Sequence, residues 1–580
     1  MAQRCWSTVS GGGYIGCSLT AALESKDQFP FSSRLSEDEP PALQQIRNYS
    51  NYLFPNGAGD LLHNASIYAR GLLINAVLVA SVMFAAAAIT LLYYSLRHTN
   101  SQWWLLNIAA FVFNPFGLRH FFLSLTLALL LALFGIAWGI FQSQRATVSE
   151  IPGGLTKPFG IAVIALFVVL FCELQPFILD QMFGIPTDNL IVVVTKWVNR
   201  VSAVLAPIGA AMAFVSSKLG EYVKSATQSP KLTAQIKGVI MQVAIYASGL
   251  ILPVVIWMIF LDVAYWGICV SKVAGACQAP AWLAILSHRI FGSHLYAPAL
   301  LYLAAALICF VLSLLMRPNA NSLHPLYRDR LRKAFLFVPQ AKMGEADLPV
   351  FEKPLSEITC RNGPYHLINA ALNVEESKTA NRRGRNADFF LFSPLFVGSK
   401  STGYVATADV EQVAIGFDLA TTMAVSGAAA SSNMGAQSIK PLTATLALLN
   451  IRLGYWLRNP LRLAKAAPAD PRRRRRWSEF RRRNNFFANY YFILELFGLL
   501  NERRKSVYLT DGGHIENLGI YELLRRRCQV IIAVDAEADP QMAFGSFNNA
   551  RAICAHRHGD PYRSAVAKDR RRKPRHQRGD

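Results

Sequence analysis

The sequence is poor in cysteine, poor in acidic residues and without an amino-terminal signal peptide. Its nine cysteines are scattered, with no CxxC pair and no clustered histidines. This spacing indicates neither a zinc site nor a disulfide framework. The first residues, MAQRCWSTVSGGG, contain no apolar h-region, so we expect the amino terminus to stay in the cytoplasm. We expect no metal ion and no other cofactor.

Acidic side chains are outnumbered, with 36 Asp and Glu against 59 Lys and Arg, which gives a net charge of +23. Dense basic runs lie at 472–476, at 481–483 and beyond Lys568. Such runs suit either an anionic lipid surface or a nucleic-acid backbone. Beside apolar spans the lipid surface is favoured, and we expect no nucleic-acid partner.

Long apolar runs are abundant instead, and a hydrophobic fraction of 52% is too high for an ordinary soluble enzyme of 580 residues. Five runs are long enough to cross a bilayer. We predict transmembrane helices at Gly71 to Leu96, Phe121 to Phe141, Phe159 to Leu179, Gly238 to Leu261, and Pro298 to Met316. A sixth candidate, about Ile191 to Ser216, is shorter and could instead be a re-entrant or interfacial segment.

These runs divide the chain into four parts. Residues 1–70 precede the first span, 71–316 form a transmembrane helical region, and 317–545 have the composition of a folded soluble domain. Residues 546–580 read as a basic tail, which we expect to be disordered. Basic residues directly after the last span indicate that the soluble domain lies on the cytoplasmic side, with the protein in the cytoplasmic membrane.

The stretch Val507 to Pro540 predicts a strand, a loop, a helix and a second strand. Asp511 stands at the carboxyl end of the first strand, followed by Gly512 and Gly513, and the second buried strand is predicted at Val530 to Val534. A carboxylate at a strand end beside glycines, which let backbone or substrate approach, is typical of a reactive site in an α/β sheet. The alternative is a surface Asp-Gly turn.

Ser10 lies between a short β-favouring run and three glycines, after which a helix can begin. A serine at a sharp strand-to-helix turn is the nucleophile-elbow arrangement, and the amino terminus of the helix favours developing negative charge. Gly11 and Gly12 remove steric conflict at such a turn. A flexible glycine loop is the alternative, as is an oxyanion loop serving another serine, although no second G-x-S-x-G elbow follows in the chain.

Two further side chains could carry chemistry. Glu173 is a carboxylate inside an apolar span and a candidate for ion coupling, but snorkelling or pairing with a neighbouring helix is favoured. His324 could act as a base, but a packing role at the entry of a helix is favoured.

Four separated stretches, at 7–16, 321–331, 363–373 with 426–435, and 509–528, resemble the patatin-like phospholipases. The resemblance is to multi-pass forms with transmembrane helices between the elbow and the catalytic aspartate. It implies a three-layer α/β sandwich, interrupted here by about six spans. It also implies acyl-ester hydrolysis by a dyad of Ser10 as nucleophile and Asp511 as base, without a catalytic histidine. Gly11, Gly12, Gly512 and Gly513 would supply the backbone around the site.

The resemblance also implies a glycine-rich oxyanion loop some tens of residues before the elbow. Only nine residues precede Ser10, so we expect this chain to lack the first strand, that loop and the first helix. Either the start is internal to a longer protein, or activity is reduced by several powers of ten.

The sequence therefore favours a membrane-embedded acyl hydrolase acting on phospholipid or other lipid esters at the cytoplasmic leaflet. A non-enzymatic multi-pass protein, transporter-like or scaffold, that retains a degenerate patatin-like domain is the alternative. A third option is an acyltransferase that uses the same dyad with an acceptor other than water.

Overall fold

The structure, a computed structural model, describes residues 4–25, 40–53, 57–98, 122–143, 153–182, 230–271, 279–338, 350–359, 361–414, 416–466, 488–540 and 542–558. The chain divides into two compact units. The first contains residues 1–76, 248–250 and 313–580, and the second contains residues 77–247 and 251–312.

Helices predominate in the first two-thirds of the chain. After strand β1 (Cys5–Thr8) come α1 (Gly11–Ser25), α2 (Pro41–Asn48), α3 (Ala58–His98), α4 (Phe122–Ser143), α5 (Gly153–Met182), α6 (Pro230–Val270), α7 (Ala281–Phe291), α8 (Ala297–Leu315) and α9 (His324–Phe335).

The remainder alternates between strands and short helices. In order these are β2 (Tyr365–Asn373), α10 (Ala380–Arg385), β3 (Ala387–Phe392), β4 (Phe396–Ser399), β5 (Gly403–Ala406), α11 (Thr407–Val413), α12 (Leu419–Ser426), α13 (Lys440–Leu448), β6 (Tyr455–Arg458), α14 (Pro460–Ala466), α15 (Ala488–Leu496), β7 (Ser506–Asp511), α16 (Ile520–Arg525) and α17 (Gly545–His558). Helix α17 occupies the start of the range that the sequence assigns to a basic tail.

The first unit contains a sheet of seven strands. Six follow the order β5-β4-β3-β2-β7-β6 with antiparallel neighbours, and β1 pairs with β2 in parallel. The chain is thus mixed α and β. Its mostly antiparallel sheet differs from the expected α/β pattern because β2 to β5 follow one another through short connections, which suit antiparallel pairing.

Helices cover both faces of this sheet. On one face Ile368, Ala370 and Leu372 of β2 share a core with α1, α9 and α12. On the other face Ala371 packs with Ile515, with α16 through Tyr521 and with α17. Strand β2 is buried on both faces, and its sequence YHLINAALN combines five apolar residues with the buried polar side chains of His366, Asn369 and Asn373.

The predicted strand at Val530 to Val534 is wrong. This segment has no strand, and the side chains of Val530, Ile532 and Val534 are 81%, 85% and 86% exposed. The helix predicted between the strand that ends at Asp511 and this segment begins at Ile520 and ends at Arg525. It does not start earlier because Glu516 accepts hydrogen bonds from the amides of Leu518 and Tyr521 within the preceding loop.

Five helices in the described part of the chain are long and apolar enough to cross a membrane: Gly59–Ser95, Leu123–Phe141, Pro158–Gln175, Ile245–Val270 and Ala297–Leu315. Each overlaps one of the five predicted spans. Five helices of this length and hydropathy indicate a membrane protein. The sixth candidate, Ile191 to Ser216, lies outside the described residues.

The second unit has its own core, formed by Leu91, Leu261, Tyr302 and their neighbours on α3, α6, α7 and α8. The helices come close at Gly267, where a Cβ atom would lie 2.4 Å from Leu91 Cδ2. Among the described cysteines, Cys269 is disulfide-bonded and six carry free thiols.

Glu173 is buried in this unit. It accepts hydrogen bonds from the amides of Leu123 and Ser124, at 2.8 and 3.0 Å, and from the Tyr93 hydroxyl at 3.0 Å. Its carboxylate therefore caps the amino terminus of α4. Of the roles considered for Glu173, the structure shows pairing with a neighbouring helix.

Candidate active site

The candidate site forms where two strands meet end to end along one edge of β2. Thr8, the last residue of β1, pairs with Ile368, and Asp511, the last residue of β7, pairs with Ala370. Because β1 is parallel to β2 and β7 is antiparallel to it, their carboxyl ends converge on Asn369. The topology thereby brings together residues about 500 positions apart in sequence.

Ser10 occupies a sharp turn between β1 and α1. Its φ angle is 52°, a left-handed conformation that costs a non-glycine residue roughly 1–3 kcal/mol. The amide of Gly13 donates to the Ser10 carbonyl at 2.9 Å and closes the turn. Ser10 is half-buried. This is the strand, strained serine and helix that the sequence predicts.

The Ser10 hydroxyl donates a hydrogen bond to Asp511. The distance from Oγ to Oδ2 is 2.8 Å, and the second carboxylate oxygen, Oδ1, accepts from the Gly513 amide at 2.7 Å. Asp511 is 3% exposed. Burial raises the pKa of Asp511 to about 6, against the lowering effect of the bonds from Gly513 and Ser10.

Two polar residues that the sequence did not single out hold the turn. The Ser10 amide donates to Ser426 Oγ at 3.2 Å, and Ser426 Oγ donates to the Asn369 carbonyl at 2.7 Å. The side-chain nitrogen of Asn369, Nδ2, donates to Ser7 Oγ at 2.7 Å and to the Thr8 carbonyl at 3.0 Å. The sequence did contain a clue to both residues, because each is a polar residue in an apolar segment. Asn369 lies in a buried strand, and Ser426 ends a fully buried helix.

The four glycines named from the sequence fall into two pairs. A Cβ atom on Gly11 or Gly12 would meet nothing within 4 Å, and their amides, at the start of α1, have no acceptor among the described residues. In contrast, a Cβ on Gly512 would lie 2.7 Å from the Asn369 carbonyl oxygen, and one on Gly513 would lie 2.2 Å from Asn517 Oδ1. The first pair leaves open space beside Ser10, whereas the second permits close packing around Asp511.

His366 joins the two arms of the elbow. One ring nitrogen lies 2.8 Å from Thr8 Oγ1 on β1, and the other lies 2.8 Å from Thr20 Oγ1 on α1. Burial lowers the pKa of His366 to about 3, so the ring is neutral at pH 7. Next to it, a Cβ on Gly16 would lie 2.4 Å from Thr8 Cγ2. The strand and helix therefore cross closely just behind Ser10.

Other histidines near the two motifs have structural partners. His514 follows the Asp-Gly-Gly motif, and its ring nitrogens lie 3.0 Å from Thr510 Oγ1 and 3.2 Å from the Ala429 carbonyl. Burial lowers the pKa of His514 to about 4. His324 begins α9 and packs against Tyr455 with ring centroids 5.0 Å apart. Within the described part of the chain, neither ring makes a hydrogen bond to Ser10 or Asp511.

The arrangement is a hydroxyl bonded to a buried carboxylate, with open backbone amides on the next residues. Within the described ranges, no group of three or more His, Cys, Asp or Glu side chains is placed to hold a metal ion. The chemistry that these residues can perform is nucleophilic attack by Ser10 with proton transfer to Asp511. No protein-family model, curated protein or solved structure matches this chain.

Proposed function

We propose that this protein is a membrane-embedded lipid acyl hydrolase, of patatin-like phospholipase type, that cleaves acyl esters by a Ser10-Asp511 dyad. One observation carries the proposal: the 2.8 Å hydrogen bond from Ser10 Oγ to Asp511 Oδ2. A serine hydroxyl is a weak nucleophile until an acceptor takes its proton, and Asp511, with its raised pKa, suits that task.

In this mechanism Ser10 Oγ attacks the ester carbonyl carbon while its proton passes to Asp511. The resulting oxyanion is stabilised by the amides of Gly11 and Gly12 and by the amino terminus of α1, each donor contributing on the order of a few kcal/mol. The intermediate then collapses, the carbon–oxygen bond to the alcohol breaks, and Asp511 returns its proton to that alcohol. Water then attacks the acyl-serine carbon while Asp511 takes its proton. The bond from that carbon to Ser10 Oγ breaks, Asp511 returns the proton to Ser10 Oγ, and the fatty acid is released.

The rest of the chain is consistent with a lipid substrate. Five apolar helices anchor such a domain beside lipid, and the net charge of +23 favours anionic headgroups at the cytoplasmic leaflet. Helices on both faces of the sheet support a patatin-like sandwich. The strained Ser10 between β1 and α1 supports the elbow.

The experiment measures fatty acid release from mixed phospholipid vesicles by the full chain, alongside labelling with an alkyl fluorophosphonate. The probe bonds to an activated serine oxygen and expels fluoride, so its position is read by peptide mass. We expect release and labelling at Ser10, and loss of both in Ser10→Ala. Ser25→Ala is the matched control, because the Ser25 hydroxyl donates only to the Ala21 carbonyl of its own helix.

Asp511→Asn should lower both rates by about 10²- to 10⁴-fold, the usual contribution of a general base. Hydrolysis that survives both substitutions would overturn the dyad. Folded protein with neither release nor labelling would favour a non-enzymatic membrane protein that retains the domain. Labelling with acyl transfer to an added alcohol, but without release to water, would favour an acyltransferase.

A further inference from the structure

Helix α13 (Lys440–Leu448) contacts residues 248–250 of the long apolar helix α6, which belong to the same unit. The Thr445 hydroxyl donates to the Gly249 carbonyl at 2.6 Å. A Cβ atom on Gly249 would lie 2.2 Å from the Pro441 carbonyl oxygen, so glycine lets the two backbones come this close. Gly249 lies four residues inside the apolar stretch Ile245–Val270, about 6 Å along the helix axis. At this contact α13 is level with the apolar part of α6.

A second long apolar helix meets the other end of α13. The Asn75 side chain of α3 is buried and donates to the Ala447 and Leu448 carbonyls at 2.8 and 3.1 Å. Asn75 lies four residues after Gly71, where the uncharged part of α3 begins, so it too is about 6 Å inside an apolar stretch. An interfacial helix buries its apolar face roughly 5–10 Å into a bilayer. Helix α13 therefore lies at the depth of an interfacial helix.

The carboxyl terminus of α13 is satisfied without water. A helix leaves its last four carbonyls without partners inside the helix, and water often supplies the missing donors. In this helix all four accept from protein groups: Thr445 from the Leu449 amide, Leu446 from the Ile451 amide, Ala447 from the Asn450 amide, and Leu448 from Asn75. Where lipid replaces water, backbone groups must be satisfied within the protein. The end of α13 meets that requirement.

One side of α13 is apolar and open. Thr443 and Ala447 are buried, and α13 packs against α15. A different side carries four apolar residues at helical spacings of three and four, none of which is buried: Ile439, Leu442, Leu446 and Leu449. We call these four residues the apolar edge. Because it continues from two helices long enough to cross a membrane, it suits lipid better than water.

The chain just before α13 touches the candidate active site. Gln437 donates through Nε2 to the Gly513 carbonyl at 3.2 Å. The Gly513 amide in turn donates to Asp511. Helix α13 begins three residues after Gln437, and three residues span at most about 11 Å. The helix therefore starts within that distance of the residue that contacts the Asp511 loop.

We propose that α13 is an interfacial helix, with its apolar edge among the acyl chains of the adjoining leaflet, and that lipid passes along this edge to Ser10 and Asp511. The partner is the bilayer itself, because α13 is bonded to α3 and α6 inside their apolar stretches. Lys440, exposed at the start of the helix, is placed to meet lipid phosphates. The passage of lipid rests on the proposed hydrolase function, whereas the insertion of α13 does not.

Lipid photocrosslinking tests the insertion. The full chain, with p-benzoylphenylalanine incorporated at position 446, is irradiated in vesicles of phosphatidylcholine and phosphatidylglycerol, and lipid adducts are read by peptide mass. Leu307, exposed on the apolar helix Ala297–Leu315, gives the positive control position. Leu395 gives the negative one. We expect adducts at 446 and 307 and none at 395. Adducts at 307 alone, or equal adducts at 446 and 395, would overturn the insertion.

Leu395 is a matched control because it is an open leucine on the far side of the sheet. Its side chain is 59% exposed in the turn between β3 and β4. Strands β3, β2 and β7 separate β4 from β6. In β6, Trp456 is bonded to Asn319, which lies four residues after the last apolar helix. Leu395 is therefore remote from the point where the chain leaves that helix.

Two substrates test the passage of lipid. Leu446→Asp places a charge in the apolar edge and should lower hydrolysis of vesicle phospholipid about tenfold, because a charged side chain is disfavoured among acyl chains. Hydrolysis of p-nitrophenyl butyrate, a water-soluble ester, should be unchanged, since the dyad is intact. Leu395→Asp should change neither rate. Leu442→Asp repeats the test one turn earlier if the first variant does not fold.

Unchanged vesicle hydrolysis, or an equal loss on both esters by folded protein, would overturn the passage of lipid along α13. If wild type hydrolyses neither ester, the proposed function fails and the passage fails with it. The insertion is still decided in that case, because the adduct at position 446 does not depend on catalysis.

Discussion

Replacing Asp511 by asparagine should lower activity by about 10²- to 10⁴-fold and stabilise the protein. The two carboxylate oxygens accept from Ser10 and Gly513, and the side chain is 3% exposed. An asparagine of nearly the same shape can accept from the Gly513 amide through its oxygen and donate to Ser10 Oγ through its nitrogen. What it cannot do is ionise, so it neither takes the serine proton nor carries a buried charge.

The size of this gain in stability follows from the pKa of Asp511, which burial raises from 3.8 to about 6. The folded state therefore binds this proton more tightly than the unfolded state. Stability from this group is fully present below pH 3.8 and is lost as pH rises through about 6. At about 1.4 kcal/mol per pKa unit, the ionised carboxylate costs the folded state about 3 kcal/mol above that window.

Thermal unfolding of wild type and Asp511→Asn in nonionic detergent, followed from pH 4 to pH 8, measures this difference. We expect the two to be similar near pH 4, and the variant to be more stable by about 2–3 kcal/mol above pH 6. A variant that is less stable by the same amount at every pH would refute the argument. It would show that Asp511 matters for its hydrogen bonds and not for its buried charge.

The pKa of Asp511, about 6, also predicts how the rate of hydrolysis depends on pH. In a profile from pH 4.5 to 8.5, the rate should rise about tenfold per pH unit up to about pH 6 and then level. A flat profile would contradict the role of Asp511 as the base. Gly16→Ala, whose methyl would lie 2.4 Å from Thr8 Cγ2, should cost about 1–3 kcal/mol in thermal unfolding, whereas Gly12→Ala, in open space, should cost nothing. Glu173→Gln should cost about 1 kcal/mol, because two α4 amides lose a charged acceptor; an unchanged unfolding temperature would exclude the cap.

The local shape of the site was readable from the sequence because each half is a short motif. Thr8-Val9-Ser10 followed by glycines predicted a strand, a turn and a helix, and the structure has β1 ending at Thr8 and α1 beginning at Gly11. Asp511 likewise ends β7. Propensity and glycine placement act over a few residues, so these features need no knowledge of the rest of the fold.

The partners that hold the site were not readable in the same way. Ser426 and Asn369 act through bonds that span 416 and 57 positions, and only the pairing of β1 and β7 along one edge of β2 brings them to Ser10. Periodicity reports which side of an element is buried, and it does not report which strands are neighbours.

The error at Val530 to Val534 has a related cause. A run of mainly β-branched residues predicts a strand, but a strand exists only where another strand accepts its hydrogen bonds. In the described sheet this segment pairs with none of the seven strands. High β-propensity is then compatible with exposed side chains, because propensity expresses packing more than backbone preference.

The contact between Ser10 and Asp511 also constrains the membrane topology. Residues that share a 2.8 Å hydrogen bond lie on one side of a bilayer, so the chain between them must cross it an even number of times. The five long apolar helices of the described chain all fall in that interval. Five is an odd number, so either one of these helices does not cross the bilayer or the interval contains a further crossing, for which Ile191 to Ser216 is the candidate that the sequence predicts.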